Sequence, residues 1–498
     1  MSASVTAISI TILTSFIFLC LGVLYAKRRS ISIEDYIVSR NSSSSTFTIA
    51  TLVASALGAW ILFGPAETGT FAGIVGIIGY GIGSALPLAI FVLVGSRMRK
   101  IIPNGHSLIE FVRFRYGHTM YFLIICIMIF YMFVFLAAEL TGISQAINLL
   151  GEGVNLTITA LIVASFTVAY TAYGGMKASL FTDRIQFFAI LPLLLIVIIA
   201  GFWIGDITDS IKRVNEISPE LFSFKSTTGI EFALTLIIAV TAAEMFNQAS
   251  WQRVYNAKNI KSLIKGFSIS SILVLPIIFL TGIFGIMALA VPENIITSDN
   301  ASVAMFVYFK TIMPSWMIIT TLILAVILVM SSIDTLLNGI ASTIVTDLSR
   351  YKQKTESTAL LVPASRWITI LLIPPAILVA AQDMSVLYLF FIADLVCAAV
   401  LFPVFLGMFS KNFSPRSALI STIAGLLIGS LLFPASDFVG TWHNIPLFEF
   451  IPTGPLPSFG YALISSSILS VIFATFSNLN NTTSFDFKAL NNKVDLIE

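Results

Sequence analysis

FTIATLVASALGAWILFGPAETGTF, residues 47–71, decides how this chain is read. The run is apolar enough to cross a bilayer, yet Gly58, Gly64, Pro65 and Gly69 interrupt it, and Glu67 follows close behind Pro65. In lipid a helix must satisfy its own backbone hydrogen bonds. A broken backbone at membrane depth therefore survives only against protein or a polar cavity. Transporters use such breaks to turn carbonyl oxygens and helix ends toward ions and solutes. The stretch reads as one half of an ion-and-solute site. The competing reading is a glycine-rich helix packed closely on its neighbours.

Composition supports a membrane setting. Of 498 residues, 57% are hydrophobic and 10% charged, against about 25% charged in soluble domains. The net charge of +2 is too small to imply nucleic acid as a partner. Cys20, Cys126 and Cys397 lie in apolar runs, and His106, His118 and His443 form no cluster, so neither a disulfide framework nor a zinc site is read. No nucleophile–base pair or metal motif argues for an enzyme. The first apolar run, Val5 to Ala26, is followed rather than preceded by basic residues and reads as a retained span.

A span needs about 20 apolar residues. Thirteen fit, near 5–26, 47–66, 72–95, 120–146, 156–173, 178–205, 230–250, 262–291, 316–346, 367–381, 386–409, 417–434 and 458–476. With the N-terminus outside, all of the 27 Lys and Arg except Lys212, Arg213, Lys225 and Lys310 fall on the inner side, which places the C-terminus in the cytoplasm. The segments 206–229, 292–315 and 435–457 read as partly helical outer connections. Residues 1–476 read as one transmembrane domain, and 477–498 as a flexible cytoplasmic tail.

Span 7, IEFALTLIIAVTAAEMFNQASWQRV, carries Glu244, Asn247 and Gln248 near its inner half. If spans 2–6 and 7–11 are repeats, their odd number inverts one relative to the other, and an interrupted span comes first in each. A charged side chain at the bilayer centre costs at least about 2.5–3.5 kcal/mol, which singles out Glu139, Asp183, Glu244, Asp334 and Asp394. Each is either a partner for solute or proton or a paired strut between helices. Span 9 contains LILAVILVMSSIDTLLNG, with Ser331 and Ser332 deep in an apolar run. They either bond back to the carbonyl one turn earlier or supply hard oxygens to a small cation.

Residues 170–186, YTAYGGMKASLFTDRIQ, closely resemble the signature of the sodium/solute symporter family: a Tyr-Thr pair, Gly-Gly with a bulky apolar residue, then Thr-Asp-x-x-Gln. DYIVSRNS, residues 35–42, is similar to the family's motif after the first span, with Ser39 in place of the usual Gly. The resemblance covers essentially the whole chain. It implies an all-α, LeuT-type fold: a five-plus-five inverted repeat with one leading and two trailing helices. It implies a sodium site from the carbonyls of Ala54, Leu57 and Leu328 and the hydroxyls of Ser331 and Ser332, with Asp183 on the ion path.

For the solute, GAWILFGPAETG (58–69), PNGHSLIEFVRFRYG (103–117) and FNQASWQRVYNAK (246–258) look most like the urea-transporter branch. Ala56 stands where the proline branch has Asp, and Trp60-Ile61 where sugar carriers have Glu-Gln. The expectation is a sodium-coupled symporter for a small neutral polar solute, urea first, working by alternating access in the cell membrane. Glu139 or Glu244 would accept from the amines, Asn247 and Gln248 lie at the family's amide position, and Trp60 would cover the planar face. The alternatives are proton coupling with urea or a polyamine, and a sodium symporter for another small organic solute such as an amino acid. No cofactor beyond the coupling ion is expected.

Overall fold

The computed structural model describes residues 2–27, 38–56, 58–291, 296–297, 300–351, 361–436, 438, 454–479, 484–488 and 490. Among these, regular structure is helical apart from isolated bridge residues, Ser43 paired with Ala257 among them. In order the chain forms α1 (Ala3–Lys27), α2 (Ser45–Ala56), a single tight 3-10 turn (Ala59–Leu62), α3 (Gly64–Ile101), α4 (Leu108–Tyr116), α5 (His118–Leu150) and α6 (Leu156–Ile204). Then come α7 (Ile207–Ile217), α8 (Thr227–Met245), α9 (Gln248–Asn256), α10 (Ile260–Ala288), α11 (Ala304–Ile312) and α12 (Ser315–Tyr351). The last are α13 (Leu361–Leu371), α14 (Ile373–Ala380), α15 (Val386–Phe409), α16 (Pro415–Leu431) and α17 (Pro455–Leu479).

Ten helices among the described residues are long and apolar enough to cross a membrane, which makes this a multi-pass membrane protein. Two of the ten are each a pair of helices joined at a glycine, Gly73 in α3 and Gly175 in α6. With these pairs counted separately and the shorter α16 included, the spans number thirteen, as the hydropathy predicts. Boundaries shift by a few residues. The tenth span starts at Leu361 rather than 367 and bends between α13 and α14, where Pro374 occupies the first turn of the second piece. The connection 206–229 contains α7, and 292–315 contains α11. Most of 435–457 and of the tail after 479 lies outside the described residues.

The break in span 2 falls between Ala56 and Gly64, upstream of Pro65 and Gly69. Pro65 does not cause it. It sits in the first turn of α3, where the missing N–H has no intrahelical partner to lose. Span 7 is broken in the corresponding place, between Met245 and Gln248. Spans 2 and 7 are thus both interrupted. α3 packs along α10 and α8, and α12 packs along α6 and α5.

Gly73 and Gly175 turn the chain with nearly the same dihedrals, φ 61, ψ −155 and φ 56, ψ −149. Side chains rarely adopt these values, because a Cβ meets the flanking peptide. At Gly73 a Cβ would also overlap the backbone of Leu221. Gly117 has positive φ too, at +79, but open space around it. Gly73→Ala should thus lower the melting temperature of the purified protein well beyond Gly117→Ala. Equal losses would mean that the contact with Leu221 contributes nothing.

Candidate functional site

The two breaks leave backbone groups that need partners, and the structure shows where they find them. In span 7 the indole Nε1 of Trp251 donates to the carbonyl of Met245 at 2.9 Å. Asn247 caps α9, its Oδ1 accepting from the N–H of Ala249 at 3.0 Å, while its Nδ2 donates to Glu244 Oε2 at 3.1 Å. Ser250 Oγ donates to Glu244 Oε1. Both oxygens of Glu244 are thus held by the turn they help to form.

In span 2 the backbone N–H of Trp60 points at Glu139 Oε1, 3.4 Å away. A Cβ on Gly58 would run into Ser332 Oγ, Glu139 Oε1 and Trp60. The break is therefore pressed against both α5 and α12. Downstream, Glu67 in the first turn of α3 accepts from Ser385 Oγ at 2.6 Å and from the N–H of Leu387 at 3.4 Å. It satisfies a free N–H at the start of α15 and pins that helix to α3. Sequence reading left Glu67 without a role.

On the inner side of the break, Ser331 Oγ lies 3.2 Å from the carbonyl of Ala54 and 3.0 Å from Asp183 Oδ1. A serine has one proton to donate, so the two acceptors are not both fully served by it. Ser332 Oγ is buried against Gly58 and has no hydrogen-bond partner among the described residues. An orphaned hydroxyl on the residue next to Ser331 suits a small hard cation, which takes several oxygens at once. Leu328 is buried on α12 one turn before Ser331 and Ser332. Leu57 lies outside the described residues.

Asp183 Oδ2 forms an ion pair of 2.9 Å with Arg253 Nη2, and both side chains are essentially fully buried. The same nitrogen reaches Thr335 Oγ1 at 3.1 Å, and Nη1 donates to the carbonyl of Ala249 at 3.1 Å. Next to this pair, Asp334 accepts from Tyr170 OH at 2.7 Å, Ser179 Oγ at 2.9 Å, and Thr182 and Thr335 at 3.2 and 3.3 Å. Two carboxylates and one guanidinium thus tie α6, α9 and α12 together next to Ser331. Arg253 was counted from sequence only as an inner-side charge. Its burial becomes visible only once α9 is folded against α12.

A cavity opens on the other side of the break. Trp60, Tyr80, Tyr131, Glu244, Asn247 and Asp394 line it together with mostly apolar side chains, and among the described residues no Lys or Arg is in its walls. Trp60 stacks on Tyr80, ring centroids 5.6 Å apart and planes within 17°. Glu244 and Asn247 also line a smaller cavity with Leu52, Ser250 and Thr335. The turn in span 7 therefore separates the main cavity from the charged cluster.

Of the residues singled out as solute partners, the structure brings Trp60, Glu244 and Asn247 to the cavity. Glu139 is instead turned to the N–H of Trp60, and Gln248 is buried behind the turn, donating to the carbonyl of His106 at 3.0 Å. Asp394, with no assigned partner in the sequence reading, faces the cavity.

A family model described as "Sodium:solute symporter family" matches residues 4–425. Over 471 residues, covering 92% of this chain and 88% of the relative, the chain is 26% identical to "Spermidine transporter DUR31" of Candida albicans. It is 22% identical to "Urea active transporter" of Saccharomyces cerevisiae over 200 residues, 39% of this chain and 26% of that protein. A solved structure of a Na+-coupled sialic acid symporter, substrate-bound and outward-open, superposes with a TM-score of 0.72 over 95% of this chain and 98% of that one, at 16% identity. That likeness shows the LeuT-type fold.

Proposed function

Because this chain belongs to the sodium:solute symporter family, we propose that it imports a small organic amine, of the polyamine class, in symport with Na+. It is a secondary active transporter and not an enzyme. The observation that carries the choice of solute is the cavity. Two carboxylates, Glu244 and Asp394, share it with five aromatic side chains, and among the described residues no Lys or Arg lines it. A cationic amine would compensate an ionised carboxylate there, which urea would not. The similarity to a spermidine transporter over 92% of this chain supports the same reading, since the urea-transporter matches reach 52% and 39% of it.

In this reading Na+ binds between α2 and α12 at the carbonyl of Ala54 and the hydroxyls of Ser331 and Ser332, with Leu57 and Leu328 contributing carbonyls, and leaves past Asp183. The N-terminus is outside and the C-terminus inside, as the basic residues prescribe. The two half-bundles rock about the broken spans, exposing the cavity first outward and then inward. One Na+ moving through 100 mV releases about 2.3 kcal/mol, and each positive charge on the amine releases the same amount again. Concentrative uptake of a dilute amine is therefore well supplied with energy.

The test is uptake of labelled spermidine and labelled urea into proteoliposomes, with and without an inward Na+ gradient. Spermidine should accumulate only with the gradient, and a hundredfold excess of urea should not compete. Accumulation of urea with spermidine ignored would restore the neutral-solute reading. Spermidine uptake that ignores Na+ but collapses with a protonophore would replace the coupling ion by H+.

A further inference from the structure

We infer that Asp394 is the residue that receives the substrate's ammonium group and so sets the carrier's selectivity for cations, whereas Glu244 holds the turn of span 7. This rests on the amine reading above and narrows it to one carboxylate. The two acids differ in what already surrounds them. Glu244 has a donor on each oxygen, Ser250 and Asn247, and both donors belong to the turn itself. Asp394 is 5% exposed, and among the described residues its carboxylate accepts no hydrogen bond. A buried charge with neither counter-ion nor donor is costly to keep, and the deficit is removed when a cation arrives.

Its position agrees with that role. Asp394 lies in the middle of α15, with Phe390 one turn earlier, and both line the cavity. Residues four apart share a helix face. Trp60, Tyr80 and Tyr131 line the same cavity. An ammonium bonded to Asp394 would therefore have aromatic rings within its cage. Its methylene chain would meet Phe135, Leu88 and Val274, which also line the space. This pairing of one carboxylate with an aromatic and apolar wall suits an alkylammonium better than a compact polar neutral molecule.

The experiment measures spermidine uptake by the wild-type, Asp394→Asn and Asp394→Glu carriers in proteoliposomes. Butylammonium and the neutral butyramide serve as competitors, and melting curves of the purified full chain accompany each variant. Loss of a charge-assisted bond should raise KM for spermidine roughly 10- to 100-fold in Asp394→Asn. Over the same change kcat should move far less, and butylammonium should lose its advantage over butyramide as a competitor. Asp394→Glu should keep the preference for the cation. If the wild type takes up spermidine and Asp394→Asn keeps its KM and its preference for butylammonium, the assignment to Asp394 is wrong while the amine reading stands. If Asp394→Asn does not fold, loss of cation preference in Asp394→Glu overturns the assignment and its retention supports it. A wild type that carries urea and ignores every amine overturns both readings.

Discussion

Arg253→Ala is expected to destabilise the carrier by about 3–5 kcal/mol, enough to deplete it from membranes. The guanidinium is the cationic member of a cluster that contains Asp183 and Asp334, and all three are buried. Removing it strands a carboxylate away from water and frees the carbonyl of Ala249 and the hydroxyl of Thr335. The cost is that of the unpaired partner, which a second substitution can relieve. Asp183→Asn combined with Arg253→Gln should therefore recover much of the melting temperature lost in Arg253→Ala. It should not recover sodium-driven uptake, since Asp183 also faces Ser331. A melting temperature for Arg253→Ala equal to that of the wild type would show that the pair does not hold α9 to α6.

Ser332→Ala should separate ion binding from stability. Its hydroxyl is buried without a partner among the described residues, so deleting it should remove an unsatisfied polar group and leave the fold as stable as before, or slightly more so. If the oxygen is a Na+ ligand, losing it should cost about as much as a hydrogen bond to a charged group. That is roughly 1.5–3 kcal/mol, or a 10- to 150-fold rise in the Na+ concentration that half-saturates uptake. Ser331→Ala should show the same loss of Na+ response together with a lower melting temperature, because Ser331 bridges Ala54 and Asp183. The measurement is uptake rate against Na+ concentration, with melting curves alongside. An unchanged Na+ dependence in Ser332→Ala would remove this serine from the ion site.

Much of this organisation is legible in the chain because it depends on local properties. Hydrophobic runs of membrane length give the thirteen spans, and glycine and proline mark where helices cannot continue as they are. The spacing of residues 170–186 points to the family that the comparison shows. Legibility falters where a break is named by its punctuation. Of Gly58, Gly64, Pro65 and Gly69, the residues that look like the interruption of span 2, Gly58 lies within the break, but Pro65 fits a helix start and the backbone opens before it. Glu67 illustrates the same limit. Nothing near it in sequence indicates that its partner is the beginning of a helix more than three hundred residues later.

The sequence by itself determined that the chain lies in a membrane, that two spans are interrupted, and that five acidic side chains sit where charge is expensive. Each follows from composition within one short window. Only the tertiary structure decided what those acids do. Asp183 is paired to Arg253, Asp334 is caged by hydroxyls, Glu244 is held by Asn247 and Ser250, Glu139 meets the N–H of Trp60, and Asp394 faces the cavity without a donor among the described residues. The physical reason is that a buried carboxylate's role is set by whichever donors reach it. Those donors come from helices far apart in the chain, whose rotation about their own axes no single stretch encodes. The opening stretch 47–71 shows both sides of this. Its glycines reveal that the helix fails there, and the serine hydroxyls proposed to bind the cation reach it only because α12 brings Ser331 and Ser332 against the failure.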